Sequence, residues 1–464
     1  MSTFVLHDAE LDGARVDVLV AGSVIAAIEP VGSLRGAQIE RDCAGGALLP
    51  GLHDHHIHLL AMAAARQSID VASGLDAAIR HAHAEHAGGA WLRAVGYDES
   101  RDGLLDRARL DALAPGRPVR VQHRSGAMWV LSSAALDAVD ARESTEPGIE
   151  RADGQPTGRF FQLDRWLRER VPRSAVPDLA GVGAELASYG VTGVTDCTAT
   201  DDVGDFATIA DAVVAGLLPL TVAVTGAPSL AEAVPGRPLR RGPVKVVLAD
   251  HDLPALAQVV EWFGQAHAAE RAVAVHCVTR EALVLAIAAW HEAGTRQGDR
   301  VEHASVAPIE VVAELAALEI AVVTQPGFVA ARGDAYLSEV APVDVPDLYR
   351  CASLHAGGVE VGGSTDAPFG PADPWVAVRA AVDRRTASGA VVGRDEALAP
   401  AAALALFLAP LDRPGGPPRR VEPGAPADLC VLDRPLADAL AQPDRSMVVA
   451  TIAAGEHSYA TRHF

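Results

Sequence analysis

The sequence predicts an α/β fold built on a (β/α)8 TIM barrel, with a small β-sandwich formed from both chain ends and a large insertion after the first barrel strand. The middle of the 464-residue chain alternates short apolar runs with alanine-rich segments of helical pattern, which is typical of repeated βα units. Both ends instead carry short strand-like runs separated by turns. No glycine-rich dinucleotide loop follows any apolar run, which argues against an open doubly wound sheet.

Eight short, mostly apolar runs are candidates for the barrel strands. They are Ala47–Leu52, Val191–Thr195, Leu220–Val224, Val244–Leu248, Ala272–His276, Arg300–His303, Ile320–Thr324 and Val359–Gly363. We therefore expect residues 1–45 and 419–464 to form the sandwich and residues 46–418 the barrel. Residues 60–180 form the insertion, which we expect to act as a lid, because active sites of such barrels lie at the carboxyl-terminal mouth.

The composition excludes several classes of protein. Lys and Arg number 39 and Asp and Glu 60, so the formal net charge is −21, which disfavours a nucleic-acid partner. No apolar run is long enough for a membrane span, and the first ten residues lack the pattern of a signal peptide. The five cysteines are scattered and odd in number, which favours reduced thiols. We expect a cytoplasmic protein that acts on a small molecule, with a homodimer left open as its assembly.

One basic residue stands apart from the others. Lys245 is the only lysine among the 39 basic residues, and it lies within the apolar run Pro243–Leu248. A surface lysine on an edge strand is one interpretation. The other is a position that needs an amine, because lysine can lose its proton when it is buried and arginine in practice cannot.

The first candidate strand leads into a cluster of histidines. Four of them fall within His53–His58. Because alternate residues of an extended segment point the same way, we expect His56 and His58 to face one centre. Two imidazoles at this spacing suit a divalent transition metal, and a solvated loop is the alternative.

Three further candidate strands also end in residues that bind metals. His276 ends the fifth strand, His303 ends the sixth, and Asp366 follows the eighth. Each alone is more often a core histidine or a capping aspartate. Because the carboxyl ends of all barrel strands meet at one mouth, these residues, together with Lys245 and the histidine pair, predict a single metal centre.

The segment Pro50–His58 resembles the Pro-Gly-x-x-Asp-x-His-x-His signature of the metal-dependent amidohydrolase superfamily, in particular its amidohydrolase 3 branch, which includes N-substituted formamide deformylases. The segments Leu110–Pro115, Gly190–Asp196 and Ala425–Leu429 resemble further parts of this branch. The resemblance therefore covers nearly the whole chain, and it implies the fold predicted above.

The resemblance also implies two divalent metal ions, a carboxylated lysine and hydrolysis by metal-activated hydroxide. Zinc is the first expectation because histidine-rich sites suit it, although Mn, Fe, Co or Ni would fit the same ligands. The implied ligands are His56, His58 and Asp366 for one ion, His276 and His303 for the other, and Lys245, carboxylated by CO2, as the bridge. Asp366 is also the implied catalytic residue, which takes a proton from the nucleophile and passes it to the leaving nitrogen.

Fewer signals point to the substrate. The candidates for substrate binding are Tyr97, Asp98, His123 and Arg124 in the insertion and Arg332 beyond the seventh strand. Arg332 suits a substrate carboxylate, and a surface pair with Asp334 is the alternative. The branch usually has His where Ala127 stands and Asn where Ser132 stands, so this chain departs from its relatives in a part that faces the substrate.

The function that the resemblance implies is hydrolysis of a C–N bond in a small amide, formamide or cyclic amide. A mononuclear aminohydrolase, or deaminase, is one alternative, but it does not need Lys245 on the fourth strand. A non-catalytic barrel used for binding is the other, but all six ligand-type positions are present in this chain.

Overall fold

The computed structural model of the protein describes residues 3–36, 39–85, 90–172, 177–232, 239–250, 252–462 and 464. The chain separates into two compact units. The first unit comprises residues 1–59 and 179–464, and the second comprises residues 60–178.

Short strands and helices alternate along much of the chain. The strands, numbered in chain order, are β1 Thr3–Leu11, β2 Ala14–Ala21, β3 Val24–Pro30, β4 Ile39–Asp42, β5 Leu48–Pro50, β6 Leu52–Ile57, β7 Ile69–Asp70, β8 Leu92–Tyr97, β9 Val119–His123, β10 Met128–Leu131, β11 Ile149–Ala152, β12 Gln155–Phe161, β13 Val191–Asp196, β14 Thr221–Gly226, β15 Leu239–Val247, β16 Val273–Cys277, β17 Arg300–His303, β18 Ala321–Thr324, β19 Val361–Gly363, β20 Leu429–Leu432, β21 Val448–Ala453 and β22 Glu456–Ala460. The α-helices are α1 Leu59–Arg66, α2 Leu75–Glu85, α3 Glu99–Asp102, α4 Arg107–Leu113, α5 Ser133–Ala138, α6 Asp164–Arg170, α7 Leu179–Ser188, α8 Val203–Val214, α9 Leu256–Ala268, α10 Arg280–Ala293, α11 Glu310–Ala317, α12 Gly327–Glu339, α13 Ala352–Ala356, α14 Pro374–Asp383, α15 Pro400–Ala405 and α16 Leu436–Ala441.

In the described part of the first unit, eight parallel strands form one sheet in the order β6, β13, β14, β15, β16, β17, β18, β19. Neighbours in this sheet follow one another along the chain, as successive βα units require. The first and last strands are joined at their carboxyl ends. There the amide of Asp366 donates to the carbonyl of His56, and the amide of His58 donates to the carbonyl of Ala367, each at 2.9 Å. The sheet is therefore nearly closed, and the predicted TIM barrel is confirmed.

The helix α10 shows how the sequence specifies the outer layer of the barrel. Thr279 caps its first turn by accepting a hydrogen bond from the amide of Ala282, and Gly294 ends it with a φ of +78°. Leu283, Ile287 and Trp290 recur at a spacing of three or four residues and are buried. One stripe of the helix therefore packs into the core while the opposite side faces water.

The first barrel strand differs from its predicted position. The run Ala47–Leu52 contains two elements, because β5 pairs antiparallel with β20 in a sheet of the chain ends and only β6 belongs to the barrel. Gly51 lies between them, and a Cβ atom there would meet the side chain of Thr192 at 2.2 Å. A continuous apolar run therefore conceals a change of sheet. As a result His56 lies within the barrel strand, and His58 follows directly after it.

Two four-stranded sheets are built from the chain ends. One has the order β3-β2-β1-β4 and the other the order β22-β21-β20-β5. Buried side chains of both sheets belong to one hydrophobic cluster, among them Leu6, Val18, Leu429 and Ile452. The two sheets thus contribute to a common core, and their arrangement as a sandwich stays a prediction.

The second unit contains a sheet of its own. Its order is β11-β12-β10-β9-β8-β7, with β7, β8 and β9 parallel and the remaining pairs antiparallel. Helices α2 and α4 contribute Ile79 and Leu110 to a hydrophobic cluster with strands β8 and β9. The role of this segment as a lid stays a prediction. Across the described residues of both units, no helix combines the length and the apolar character that crossing a bilayer requires.

Candidate metal centre

Three of the predicted ligands meet where the first and last barrel strands join. The Nε2 atom of His58 lies 3.0 Å, and that of His56 lies 3.5 Å, from Oδ1 of Asp366. One ligand atom from each residue lies within 4.8 Å of the other two. His56 is 1% exposed and Asp366 is 7% exposed, so the group is largely shielded from water.

The other predicted ligands lie on neighbouring strands of the same barrel. Lys245 pairs with Ala274 in the register of β15 and β16, so Lys245 and His276 share one face of the sheet. The ring centroids of His276 and His303 are 4.3 Å apart, and those of His303 and His56 are 4.7 Å apart. The buried Nζ atom of Lys245 has no hydrogen-bond partner among the described residues.

Three of the histidines are oriented by an oxygen atom at Nδ1. These oxygen atoms belong to Glu302 for His56 at 2.6 Å, to Thr198 for His58 at 2.9 Å and to Gln325 for His303 at 2.9 Å. A partner at Nδ1 fixes the ring and leaves Nε2 for a cation, as is usual for histidines that bind metals.

Two of the predicted ligands, His303 and Asp366, have strained backbones. The φ angles are +74° at His303 and +55° at Asp366, a region that residues other than glycine rarely adopt. Such conformations persist where surrounding contacts hold them. Asp54, of the same motif as the histidine pair, supplies such a contact, because its Oδ1 accepts a hydrogen bond from the amide of Thr365 at 3.1 Å. The motif therefore also holds the loop that carries Asp366.

The protonation states of these groups suit a cation. Burial, together with the nearby Lys245, lowers the pKa of His56 to about 3. Burial likewise lowers the pKa of His276 well below its usual value. Burial alone would raise the pKa of Asp366, but His56 and a hydrogen bond with His58 bring it far below its usual range. His56 and His276 thus favour the neutral form and Asp366 the ionised form, which are the forms that bind metal ions.

Residues 40–459 match the amidohydrolase family. The chain belongs to the amidohydrolase family. It is 27% identical to the N-substituted formamide deformylase of Arthrobacter pascens over 90% of each chain. It is also 22% identical to the putative amidohydrolase YtcJ of Bacillus subtilis (strain 168) over 74% of each chain. An uncharacterized metal-dependent hydrolase from Pyrococcus horikoshii has the same fold, with a TM-score of 0.75 at 20% identity, covering 93% of this chain and 98% of that one.

Membership of the family confirms two of the expectations from the sequence. The protein is a metal-dependent hydrolase that acts on C–N bonds other than peptide bonds, and its cofactor is a divalent metal ion. The residues of this amidohydrolase fit that cofactor, since two imidazole nitrogens and a carboxylate oxygen converge in a buried group. The buried amine of Lys245 also lacks a partner among the described residues.

Sequence reasoning did not identify the groups that orient the histidines of this amidohydrolase. Glu302 stands directly before the predicted ligand His303, and its contact with His56 spans 246 positions of the chain. Alternation of side chains along β17 would place Glu302 on the face opposite His303, whereas in the structure Glu302 pairs with His276 in the register of β16 and β17. Thr198 and Gln325 gave no comparable signal, since each simply follows the end of a strand.

The four predicted substrate residues of the insertion lie together in the second unit. Tyr97 is buried in the core of that unit, and its hydroxyl donates to the carbonyl of Gly103. Its ring is 5.7 Å from that of His123, and Nε of Arg124 lies 2.9 Å from Oδ2 of Asp98. They also contact other residues of the insertion, since Nε2 of His123 lies 2.6 Å from Oε2 of Glu99, and their role in substrate binding stays a prediction.

Arg332 lies on α12 in the first unit. Its guanidinium lies 4.2 Å from the centroid of the Phe328 ring and donates to the carbonyl of Phe369. The ring of Phe369 is in turn 5.2 Å from that of His58, so Arg332 lies one residue away from the ligand group of this amidohydrolase. Asp334, its alternative partner, instead accepts a hydrogen bond from the hydroxyl of Thr386 at 2.6 Å.

Proposed function

We propose that this amidohydrolase uses two divalent cations to hydrolyse the C–N bond of a small amide, formamide or cyclic amide. The ligands in this proposal are His56, His58 and Asp366 for one cation, His276 and His303 for the other, and carboxylated Lys245 between them. The convergence of His56, His58 and Asp366 is the observation that carries the proposal, and the buried amine of Lys245 lies on the same face of the barrel sheet as His276.

The only lysine of the chain has a chemical reason to be there. The neutral amine of Lys245 attacks CO2, a C–N bond forms, and the amine loses a proton, which leaves a carbamate with two oxygen atoms for cations. Arginine does not undergo this reaction under these conditions, because its guanidinium stays protonated. A buried amine with no hydrogen-bond partner among the described residues is a suitable starting point for the reaction.

When bound, the cations supply Lewis-acid activation of water and of the scissile carbonyl. Asp366 accepts the proton of the attacking water and delivers it to the leaving nitrogen. Oδ1 of Asp366 lies 3.0 Å from Nε2 of His58, so both atoms are placed to hold the same cation. Zinc is the cation we assign, because the donor set is rich in histidine.

The substrate class follows from the relatives. A deformylase of N-substituted formamides aligns along 90% of this chain, so N-substituted formamides are the first substrates to test, followed by simple anilides and cyclic amides. A formamide would give formate and an amine, an anilide would give another carboxylate and aniline, and a cyclic amide would give a single ring-opened product. Release of ammonia from an aminated ring would instead support a deaminase.

The test begins with metal content and carboxylation. Wild type prepared with zinc and bicarbonate should contain about two zinc ions per chain, and Lys245→Arg should contain one or fewer. Because Lys245 is the only lysine, 13C-labelled bicarbonate should give one carbamate signal from a side chain, which Lys245→Arg loses. One zinc ion in both proteins contradicts the bridge, and no hydrolysis of any C–N substrate by the zinc-loaded wild type contradicts the proposed function.

A further inference from the structure

A line of charged residues lies inside the barrel beneath the ligand group. The Nδ1 atom of His56 is 2.6 Å from Oε2 of Glu302, and Nε of Arg300 donates to Oε1 of the same carboxylate at 2.6 Å. Glu302 is fully buried and Arg300 is 2% exposed. Both lie on β17 two residues apart, so they share one face of the sheet.

Burial of these two charged side chains costs the free energy of their hydration, which indicates that they have a role beyond stability. The interior layers of such barrels are mostly filled with branched apolar side chains. A buried ion pair recovers its loss of hydration only with good geometry and further hydrogen bonds, and apolar residues of similar volume are often as stable. Stability alone therefore gives no reason to place Arg300 and Glu302 here.

A separate cation site is not the explanation. Ligand atoms of His56, Cys197 and Glu302 do lie within 4.8 Å of one another. However, the guanidinium of Arg300 donates to Sγ of Cys197 at 3.6 Å as well as to Glu302. The guanidinium of Arg300 therefore already places a permanent positive charge next to Cys197 and Glu302, and this charge would repel a metal ion bound there.

We propose that Glu302 and Arg300 are positioning residues that act on the metal centre through His56. Glu302 accepts the Nδ1–H of His56 and thereby selects the tautomer whose free Nε2 faces Asp366. Arg300 holds the second oxygen atom, so the carboxylate cannot turn away. The inference rests on the proposed function in one respect, since it assigns Nε2 of His56 to a cation.

The other oriented histidines show why this position differs. His58 and His303 contact the neutral oxygen atoms of Thr198 and Gln325. His56 instead contacts the carboxylate of Glu302 at 2.6 Å, and a carboxylate accepts a hydrogen bond more strongly than a neutral oxygen atom does. The affinity for the cation at His56 should therefore depend on Glu302 more strongly than the other histidines depend on Thr198 and Gln325.

The amide variant Glu302→Gln gives a distinctive expectation. The carbonyl oxygen of the new amide should turn to the guanidinium of Arg300, which only donates, and its NH2 group should face His56. His56 then keeps its proton on Nε2, the atom that a cation needs. We expect the affinity for one of the two zinc ions to fall by about 10- to 100-fold.

A second change should reverse this effect. In Arg300→Met with Glu302→Gln, the amide is free to turn its oxygen atom back to His56, so most of the lost zinc affinity should return. Arg300→Met with Glu302→Leu removes both charges and should fold, because apolar replacements of buried ion pairs are tolerated. It offers no acceptor to His56, so its zinc affinity should stay low. Cys197→Ala is the matched control, and it should bind zinc like wild type.

Zinc affinity is measured by competition with a chromophoric chelator on metal-free protein, so that no substrate is needed. The inference is overturned if Glu302→Gln binds both zinc ions like wild type, or if the apolar double variant does. The tautomer of His56, read by NMR of 15N-histidine protein and assigned with His56→Gln, separates this failure from that of the proposed function. If wild type binds no zinc, the proposed function fails. A change of tautomer in Glu302→Gln would still support the positioning role, and an unchanged tautomer would overturn it.

Discussion

The amine of Lys245 should make the metal-free enzyme less stable and the metal-loaded enzyme more stable. Its Nζ atom is buried and has no hydrogen-bond partner among the described residues. Lys245 lies within β15 and is 8% exposed. A buried polar group without a partner costs about 1–3 kcal/mol. Methionine is unbranched and nearly as long, so Lys245→Met should raise the free energy of unfolding of the metal-free protein by about that amount.

Zinc and bicarbonate should reverse this order. A ligand at a thousandfold excess over its Kd stabilises the folded state by about 4 kcal/mol, and wild type has two such sites in our proposal. Lys245→Met lacks the bridging carbamate and should keep one cation at most. The variant should therefore be more stable than wild type without metal, and less stable with zinc and bicarbonate.

The assay is urea unfolding under both conditions, first with a chelator in CO2-depleted buffer and then with zinc and bicarbonate. Val246→Ala is the control, because Val246 is the next buried residue of the same strand and its truncation should weaken both forms equally. The reasoning is refuted if Lys245→Met is less stable than wild type without metal. An equal gain of both proteins on adding zinc and bicarbonate would refute the bridge.

Three further predictions concern aspartates. Asp366→Asn should lower kcat by about 10²- to 10⁴-fold through loss of the proton carrier, and steady-state kinetics near the wild-type rate would contradict that role. Asp373 caps α14, and burial raises its pKa to about 6. Its folded form therefore keeps a proton that the unfolded chain releases near pH 4, so this stabilisation is lost as pH rises from about 4 to 6. Asp373→Asn keeps the cap and should raise the free energy of unfolding by about 1–2 kcal/mol at pH 8 but little at pH 4, whereas equal effects in urea unfolding at both pH values would contradict the shift. Asp299 is buried and accepts hydrogen bonds from Nε1 of Trp290 at 3.0 Å and from two backbone amides. Asp299→Ala should therefore lower the unfolding free energy by about 3 kcal/mol, while Ala at the exposed Asp438 should have little effect; a loss below about 1 kcal/mol would contradict this account.

The positions of the candidate ligands were predictable because a residue at the end of a barrel strand lies at the carboxyl-terminal mouth of the barrel. His276 and His303 lie at the carboxyl ends of the parallel strands β16 and β17, and such ends meet at one mouth of a barrel. The same rule accounts for Asp366, which follows β19. Lys245 was found by composition, since it is the only lysine of the chain.

Other features depend on contacts that no local pattern encodes. The apolar run Ala47–Leu52 was predicted as one strand. In the structure the chain changes sheets within it, at Gly51, where Thr192 packs closely against the glycine. The carboxylate of Glu302 and the hydroxyl of Thr198 reach the histidines through side-chain rotamers and long-range pairing. Tyr97 resembled a substrate residue because aromatics are few, and its burial among apolar neighbours follows from the packing of the second unit.

The hydrogen bonds that join the first and last strands have a mechanical consequence. The seam of the barrel passes through the backbone of His56, His58 and Asp366, so the residues that close the ring also carry the proposed ligands. Any opening of the barrel at this seam moves Asp366 away from His56 and His58, and a cation bound to all three residues resists that opening. Loss of the cation should therefore speed hydrogen exchange at the amides of His58 and Asp366 before it affects the amides of strands on the other side of the barrel. The cofactor would then stabilise the closed barrel in addition to its role in the reaction.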